Sequence, residues 1–374
     1  MGKFLKIFPL DPMFFRTPRP FTAGEQDWAP SNPLPLPGTL YGALRSMILS
    51  RRNFEQFVNG SGYEDIGTPE NKGTLRLLTF TLGLERDSKT IPYFPPPANL
   101  LVKGEGIWKE IKDDNAIKVA TPTKIERAIV LDVEGQEIQE FFYLKEDDYE
   151  PPTGYWISIY GLNKYLNGEL PSVDDFVSSE KFFIPEPKVG IGRDRGTRAS
   201  EEGRLYRVNH FRYKEEASIL AWIEGTDENL NGIFTLGGER RTAKIKELRE
   251  NPFNALNVNV DSNRFLVYLA TPAIFEGGWY PKGKLNDLRK EGIEIEPITA
   301  FIPGYKIVSG WDIQKKAPKN LYRVVSERSV YVFEVKNGDV GRAIESFHMK
   351  NISDINTDEG YGFALVGTIC TKEE

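Results

Sequence analysis

Residues 360–367 read GYGFALVG, two glycines around a tyrosine followed by an apolar run of the length of one strand. The first half of the chain has a similar arrangement, because the glycine pair and two arginines of GGERR, at 237–241, lie between two strand-like stretches. Glycine lets the backbone turn tightly, and β-branched and aromatic residues favour strands. Both halves therefore end in a glycine-rich turn that leads into a final strand. This predicts a duplicated α+β unit, although no residue-by-residue repeat is visible.

The length of the chain favours two domains, because 374 residues exceed what one hydrophobic core usually supports. Hydrophobic residues make up 40% and charged residues 27%, as in soluble globular proteins, so we expect a folded chain. After residue 260 the stretches KLNDLRKE, SVYVFEVK and GRAIESFHMK predict a helix, a strand and a helix. We place the first domain at 1–250, with an irregular insertion over about 55–150, and the second at 255–374.

Cysteine and histidine are scarce, which excludes several kinds of site. The single cysteine, Cys370, rules out an intramolecular disulfide framework and a thiolate zinc cluster, and it fits a reducing, cytoplasmic location. His210 and His348 lack the paired spacing of a metal-binding helix, so we expect no metal and no cofactor. The first residues lack the pattern of a signal peptide and the longest apolar runs are strand-sized, so we expect no membrane segment.

Positive charge is concentrated in one part of a chain whose formal net charge is −6. Residues 188–214 contain eight lysines and arginines against three acidic residues, a local charge of +5. Within this strip, residues 189–198 read VGIGRDRGTR. Glycine lets backbone N–H groups approach a bulky anion, and arginine offers a planar, charged fork to phosphate oxygens, so the stretch predicts a phosphate clamp. The alternative is a surface hairpin that its charge keeps soluble. The glycine spacing of a mononucleotide or dinucleotide site is absent from the sequence.

Aromatic residues alternate with cations beside this stretch and favour RNA as the ligand. Residues 204–213, RLYRVNHFRY, predict a strand. Together with GGERR they offer stacking faces and phosphate ligands in the proportions that single-stranded RNA recognition uses. The alternation of side chains along this strand places four residues on one face, namely Arg204, Tyr206, His210 and Arg212.

The stretch PLPGTLYGALR, at 35–45, predicts the start of a helix with Thr39 as its N-cap. Gly42 and Arg45 lie three residues apart, on a different face from the leucines, so a small residue beside a cation could face a partner. An ordinary amphipathic helix with a solvated arginine explains the same pattern.

Five stretches occur along most of the chain: PLDPMFFRTPRPF at 9–21, PLPGTLYGALR, VGIGRDRGTRASEEGRLYR at 189–207, LGGERR and GYGFALVG. In this order they resemble the RAMP superfamily of CRISPR effector proteins. Within the superfamily, the chain is most similar to the family of the third subunit of the Cmr-type (type III-B) complex. The similarity is weakest over residues 55–150.

The resemblance implies two ferredoxin-like (RRM-like) domains with glycine-rich loops. It also implies a non-catalytic subunit that holds the 5′ handle of the guide RNA and docks against the large polymerase-like subunit and the backbone RAMP subunit. The positions to which we assign RNA binding, from the resemblance and from the basic strand, are Thr39, Gly42, Arg45, Gly190, Gly192, Arg193, Arg195, Thr197, Arg198, Arg204, His210, Gly237, Gly238, Arg240, Arg241, Gly360 and Gly362.

RAMP-like folds also include metal-independent endoribonucleases that process guide RNA, and this is the alternative function. Such cleavage needs a general base near the 2′-hydroxyl, and His210 is the one histidine in the basic strand. A single histidine without an evident partner is poor support for catalysis, so a contact with RNA is the favoured interpretation. A subunit that binds proteins alone would leave the basic strip unexplained.

Overall fold

A computed structural model describes residues 2–17, 28–29, 31–104, 116–130, 137–193, 196, 200–312 and 317–370. For residues 28–29, 125–130, 137, 139, 191–193, 200–206 and 311–312 it describes the backbone alone.

The first elements along the chain are β1 (Lys3–Pro9), β2 (Phe15–Arg16), β3 (Trp28–Ala29), β4 (Ser31–Asn32), α1 (Pro37–Leu49), α2 (Phe54–Val58), β5 (Arg76–Arg86), β6 (Lys89–Phe94), β7 (Leu100–Lys103), β8 (Ile117–Val119), β9 (Thr121–Val130), β10 (Glu137–Tyr143), β11 (Tyr149–Glu150), β12 (Tyr155–Ser158), α3 (Ile159–Leu166) and β13 (Phe176–Ser178). They are followed by β14 (Phe183–Arg193), β15 (Ser200–Tyr213), β16 (Ala217–Glu224), β17 (Gly232–Thr235), β18 (Thr242–Leu248), β19 (Arg264–Leu269), α4 (Lys282–Lys290), β20 (Glu294–Phe301), β21 (Tyr305–Val308), β22 (Trp311–Asp312), β23 (Ala317–Pro318), β24 (Tyr322–Val325), β25 (Val330–Asn337), α5 (Val340–Phe347), β26 (Lys350–Asn351) and β27 (Phe363–Gly367). Among the helices that the structure describes, none has the length and apolar character that crossing a bilayer requires.

The chain packs into two units, each built from separate stretches of sequence. The first unit comprises Met1–Lys89, Glu180–Glu250 and Ile307–Tyr322. Its antiparallel sheet has the strand order β5-β16-β1-β18-β17. The strand β1 therefore lies inside the sheet, between two strands that come more than 200 residues later in the sequence.

Helix α1 of the first unit has a regular apolar stripe. Leu40, Leu44 and Ile48 lie at four-residue intervals and are fully buried. The N-cap is Leu36, and the helix begins at Pro37, whose fixed φ suits a first helical residue. The prediction that Thr39 is the N-cap is therefore wrong, because the proline starts the helix two residues earlier.

A long hairpin of β14 and β15 belongs to the first unit. The two strands pair from Phe183↔Tyr213 to Arg193↔Ser200. At ~3.3 Å per residue, β14 is about 35 Å long and β15 about 45 Å. Strand β15 also pairs in parallel with β3. The strands that the sequence predicts over 204–213 and for the apolar run after it are confirmed as β15 and β16.

The second unit comprises Thr90–Ser179, Asn251–Lys306 and Arg323–Glu374. Its antiparallel sheet has the strand order β20-β25-β19-β27-β26. The core between this sheet and helices α4 and α5 includes Leu285, Leu288, Ala343 and Phe347 from the helices. The helix, strand and helix predicted after residue 260 are confirmed as α4, β25 and α5.

The two sheets share one strand order. In the first unit β18, β1, β16 and β5 are neighbours, and in the second β27, β19, β25 and β20 are. In both, the strand that comes last along the chain lies beside the first, and the third and second follow. The second unit places α5 before its last strand, whereas the first has β17 and a 3-10 turn, Gly238–Arg240, at that point. The predicted mixture of α and β structure is confirmed as a strand-rich fold with few helices among the described residues.

The stretch predicted as an irregular insertion, 55–150, contains one core strand. Strand β5 pairs with β16 along its length and buries Leu77, Leu82 and Leu84. Its pairing with β16 and the continuous burial of Thr79 to Leu84 place β5 in the core of the first unit's sheet. Later residues of the stretch form the sheet β11-β7-β8 and the ribbon β10-β9 in the second unit. The predicted domain bounds themselves stay predictions.

Candidate nucleic-acid interface

The glycine pair at the start of GGERR allows two segments of the first unit to approach closely. Gly237 has φ of +81°, and a Cβ atom there would lie 2.9 Å from the carbonyl oxygen of Phe14. The N–H of Gly238 donates to that same oxygen over 2.8 Å. Glu239 and Arg240 follow with φ of 56° and 54°, a region that residues with side chains rarely adopt. The glycine turn at 237–240 is therefore held against the backbone of Phe14 by this hydrogen bond and by close packing.

Four side chains meet beside this turn, and we call them the Glu239 cluster: Lys188, His210, Glu239 and Arg241. Nε2 of His210 lies 3.2 Å from Oε2 of Glu239 and 3.2 Å from Nη2 of Arg241. The same carboxylate oxygen accepts a hydrogen bond of 2.6 Å from Arg241 and one of 3.3 Å from Lys188. The cluster connects both strands of the hairpin to the glycine turn.

The carboxylate of Glu239 is held in its charged form. Burial by itself would raise the pKa of this carboxyl, but hydrogen bonds from Arg241, His210 and Lys188 outweigh it, and the pKa lies below its ordinary value. Arg241 therefore already has an acidic partner within the chain. Its guanidinium, of which 20% of the side-chain surface is exposed, stabilises the turn as well as being a candidate RNA ligand.

His210 does not present a stacking face to solvent. Only 2% of its surface is exposed, and its ring packs against Phe14 with the ring centroids 5.3 Å apart. The sequence correctly groups His210 with Arg212, because the register pairs Ile184 with Arg212 and Glu186 with His210 on one face. Phe14 and the glycine turn cover the strand at this point, and the expected contact between His210 and RNA stays a prediction.

Exposed cations surround the Glu239 cluster. Arg207 and Arg240 are exposed, and among the described residues no acidic side chain pairs with either. Lys188 keeps 57% of its side chain exposed despite its contact with Glu239. Arg212 is exposed too and donates to Glu186 over 2.6 Å. Strands β14 and β15 and the glycine turn therefore carry several cations that the folded chain leaves open to an anion.

The far end of the hairpin carries the rest of the predicted clamp. Gly190 lies opposite Tyr206, and the register shifts between Ile191 and Arg193, where Gly192 is located. Arg193 and Arg204 lie on the described backbone of β14 and β15. Three further predicted residues lie outside the described residues, namely Arg195, Thr197 and Arg198.

Arg45 of α1 organises a loop. Its Nε donates to the carbonyl of Ile66 over 2.7 Å, and its Nη2 donates to the carbonyls of Thr68 and, over 3.2 Å, Asn71. Its guanidinium also lies 5.3 Å from the ring centroid of Phe57. The donors of Arg45 are thus used inside the chain, whereas Thr39 is exposed and a Cβ atom at Gly42 would meet nothing within 4 Å.

Gly360 and Gly362 are buried in the second unit and form its glycine-rich turn. Their φ angles are 94° and 75°, and a Cβ atom at Gly362 would lie 2.5 Å from the backbone nitrogen of Ser353. The carbonyl of Gly360 accepts a hydrogen bond of 2.7 Å from Thr271. The positive φ angles and the close backbone contacts explain why glycine occupies both positions. The predicted contact of these glycines with RNA stays a prediction.

Sequence reasoning missed Glu239 and Phe14, although both stand in stretches singled out above. The position of Glu239 between the glycine pair and the arginine pair of GGERR is the one feature of the sequence that indicates its role as a hydrogen-bond acceptor in this turn. Its partner His210 is 29 residues away along the chain, so only the fold brings them together. Among the described residues, no group of three or more His, Cys, Asp and Glu side chains is arranged to hold a metal ion.

Comparison with known proteins gives one family match. Residues 5–369 match the family described as CRISPR-associated protein (Cas_Cmr3). A search of curated proteins finds no match. Among solved structures, the chain is similar to a chain of the type III-B Cmr-beta complex bound to cognate target RNA, with 15% identity, a TM-score of 0.46, and coverage of 99% of this chain and 97% of that one.

Two further structures are similar to the chain. One is a chain of Cmr-beta bound to cognate target RNA and AMPPnP, with 18% identity, a TM-score of 0.45, and coverage of 88% of this chain and 86% of that one. The other is a chain of the Csm3-Csm4 subcomplex of a type III-A CRISPR-Cas interference complex, with 12% identity, a TM-score of 0.39, and coverage of 90% of this chain and 92% of that one.

Proposed function

The chain belongs to the Cas_Cmr3 family of CRISPR-associated proteins, and from this premise we propose that it is a non-catalytic RNA-binding subunit of a type III-B CRISPR ribonucleoprotein. In this role it holds the 5′ handle of the guide RNA and docks the large polymerase-like subunit and the backbone RAMP subunit in antiviral defence. We also assign both units to the ferredoxin-like (RRM-like) class. The shared order, in which the last strand lies beside the first and the third and second follow, supports this assignment.

The observation that carries the RNA-binding role is the group of exposed cations around the glycine turn. Arg207 of β15 and Arg240 of the glycine turn form no ion pair with an acidic side chain among the described residues, and Lys188 of β14 keeps 57% of its side chain exposed. Guanidinium groups bind phosphates through paired hydrogen bonds, and ammonium groups bind them as point charges. The hairpin and the glycine turn thus offer exposed positive charge in a chain that is acidic overall.

The surroundings of His210 favour a scaffold over a nuclease. A general base must come within hydrogen-bond reach of the 2′-hydroxyl whose proton it removes. His210 is 2% exposed and its Nε2 faces Glu239 and Arg241. This burial and these neighbours support the proposal that His210 stabilises the turn rather than acting as a general base.

The test of RNA binding is the triple variant Arg193→Ala, Arg195→Ala and Arg198→Ala. For single-stranded RNA each lost phosphate contact lowers the slope of log affinity against log salt by about 0.7, so three contacts lower it by about 2. Guide RNA binding is measured by fluorescence anisotropy at several salt concentrations. The control replaces three exposed arginines of other elements, Arg76, Arg249 and Arg289, and should keep the wild-type slope. Equal slopes for the two triple variants would refute the assignment.

The nuclease alternative has its own test. His210→Gln keeps a polar side chain beside Glu239, and the length of guide RNA recovered with the protein should not change. Cleavage of a repeat RNA by the wild-type chain, lost in this variant, would establish the endoribonuclease instead.

A further inference from the structure

The two faces of the first unit's sheet differ in what covers them. On β1, Leu5 and Ile7 are fully buried, and a Cβ atom at Gly232, on the same face of β17, would lie 3.5 Å from Cε of Met47 in α1. Helix α1 therefore covers this face. Side chains alternate along a strand, so the residues between these positions point to the opposite face.

On that opposite face, β1, β17 and β18 present two lysines beside apolar residues. The register places Lys244 opposite both Phe8 and Ile233, and Lys246 opposite Lys6. Residues directly opposite one another in an antiparallel pair share a face. We call Phe8, Ile233, Lys244 and Lys246 the lysine face.

The lysine face is open to solvent in the folded chain. Lys244 and Lys246 are exposed, Ile233 has 65% of its surface exposed, and Phe8 is half-buried. Phe8 and Ile233 therefore offer apolar surface on either side of Lys244. The nearby Lys6 is buried, and its ammonium lies 4.9 Å from the centroid of the Phe8 ring.

The charge of this face is positive. Glu85 accepts a hydrogen bond of 2.7 Å from Lys6, and the two charges offset each other. Asp11, near the start of β18, is hydrogen-bonded to the N–H and the hydroxyl of Thr242. Lys244 and Lys246 form no ion pair with a carboxylate among the described residues, although the charge of Lys246, after that of Lys6, helps to lower the pKa of Glu85.

The lysine face also continues the proposed RNA surface. Strand β18 begins directly after Arg241, so Arg240, Lys244 and Lys246 follow one another along a single segment. From Arg241 to Lys246 this segment spans about 15 Å. Proteins that bind single-stranded nucleic acid without sequence preference place a row of cations along its phosphate backbone and aromatic side chains against its bases.

We propose that single-stranded RNA leaves the glycine turn along β18 and is held by the lysine face, with Lys244 and Lys246 at its phosphates and Phe8 and Ile233 against its bases. This proposal rests on the proposed function and extends it to a second RNA contact, on the sheet and separate from the hairpin. The phosphates of RNA can bind the exposed ammonium groups of Lys244 and Lys246, and its bases can pack against the adjacent apolar side chains.

The test is the double variant Lys244→Gln and Lys246→Gln in the full chain. Two lost phosphate contacts should lower the salt slope for a long oligouridylate by about 1.4. A short oligouridylate that contacts only the hairpin and the glycine turn should bind the double variant as tightly as it binds wild type. The oligouridylate length beyond which affinity no longer rises should therefore be shorter for the double variant than for wild type. The control is Lys124→Gln with Lys145→Gln, two exposed lysines of the second unit, which should leave both quantities unchanged.

The outcomes separate this proposal from the function on which it rests. If the hairpin triple variant loses the slope but the lysine double variant matches its control, the lysine face is wrong and the RNA-binding role stands. If neither variant differs from its control, both fail. The charge reversal Lys244→Glu with Lys246→Glu gives a further check. If it leaves RNA binding unchanged but prevents assembly with the other subunits, the face binds an acidic protein surface and the RNA proposal is overturned.

Discussion

Replacing Gly362 with alanine should destabilise the second unit more than the same change at Gly278. Both glycines lie in this unit and both have positive φ, 75° and 81°. At Gly278 a Cβ atom would meet nothing within 4 Å, whereas at Gly362 it would lie 2.5 Å from the backbone nitrogen of Ser353. The hydroxyl of Ser353 is itself hydrogen-bonded to the backbone of Ile274 at 2.9 and 3.0 Å, so the backbone there cannot easily move away.

The size of the effect follows from two contributions. A side chain in the left-handed region costs about 1–2 kcal/mol, and both variants carry this cost. Overpacking of a buried site adds about 1–3 kcal/mol, and only Gly362→Ala carries it. The difference between the variants is therefore about 1–3 kcal/mol, which corresponds to about 5- to 150-fold in the population of the open state.

Hydrogen exchange followed by mass spectrometry measures this population for β27 directly. The amides of Phe363–Gly367 should exchange faster in Gly362→Ala than in Gly278→Ala by that factor. Gly362 is also one of the positions assigned to RNA, so guide RNA affinity is compared between the variants at a temperature where both are folded. Equal exchange in the two variants would refute the steric argument, and a loss of affinity without faster exchange would show that the turn contacts RNA.

Three further predictions concern the first unit. The pKa of Glu239 is lower in the folded state, so the carboxylate stabilises the fold above its ordinary pKa, about 4.3. This contribution is lost as the pH falls through the lower folded pKa. In urea denaturation at stepped pH, Glu239→Gln should therefore lack this acid-dependent loss of stability. Arg45→Lys should speed amide exchange in residues 64–74, because one ammonium cannot reproduce the planar fork that donates to three carbonyls, and unchanged exchange would contradict this role. Tyr213→Phe should lower the free energy of unfolding by about 1 kcal/mol, since it removes the bond of 2.7 Å to the carbonyl of Pro33, and a stability equal to wild type would contradict it.

Local patterns predicted the elements that depend on neighbouring residues. The leucines of α1, the β-branched run of β25 and the glycine turn before β27 all form where the sequence placed them. The start of α1 was misplaced at Thr39, because the preference of Thr for caps competes with the fixed φ of Pro37. Elements whose spacing is regular can thus be predicted more securely than their ends.

The candidate site could be predicted only in part, because its packing is long-range. Alternation correctly placed His210 and Arg212 on one face of β15, but it does not reveal that Phe14 covers His210. The same limit applies to Glu239, whose hydrogen-bond partners come from β14, β15 and its own turn. Charge along a sequence therefore indicates the element that binds an anion, while tertiary pairing decides which of its cations remain available.

The central position of β1 has a consequence for synthesis on the ribosome. Residues 3–9 leave the ribosome about 200 residues before their hydrogen-bonding neighbours, which are residues 217–224 and 242–248. At a synthesis rate of about 5–20 residues per second, the nascent strand waits roughly 10–40 s for its first neighbour. Lys3, Lys6 and Pro9 reduce its tendency to pair with other chains during this interval. Codons that slow translation before residue 217 would lengthen the wait and should increase aggregation of the newly made protein.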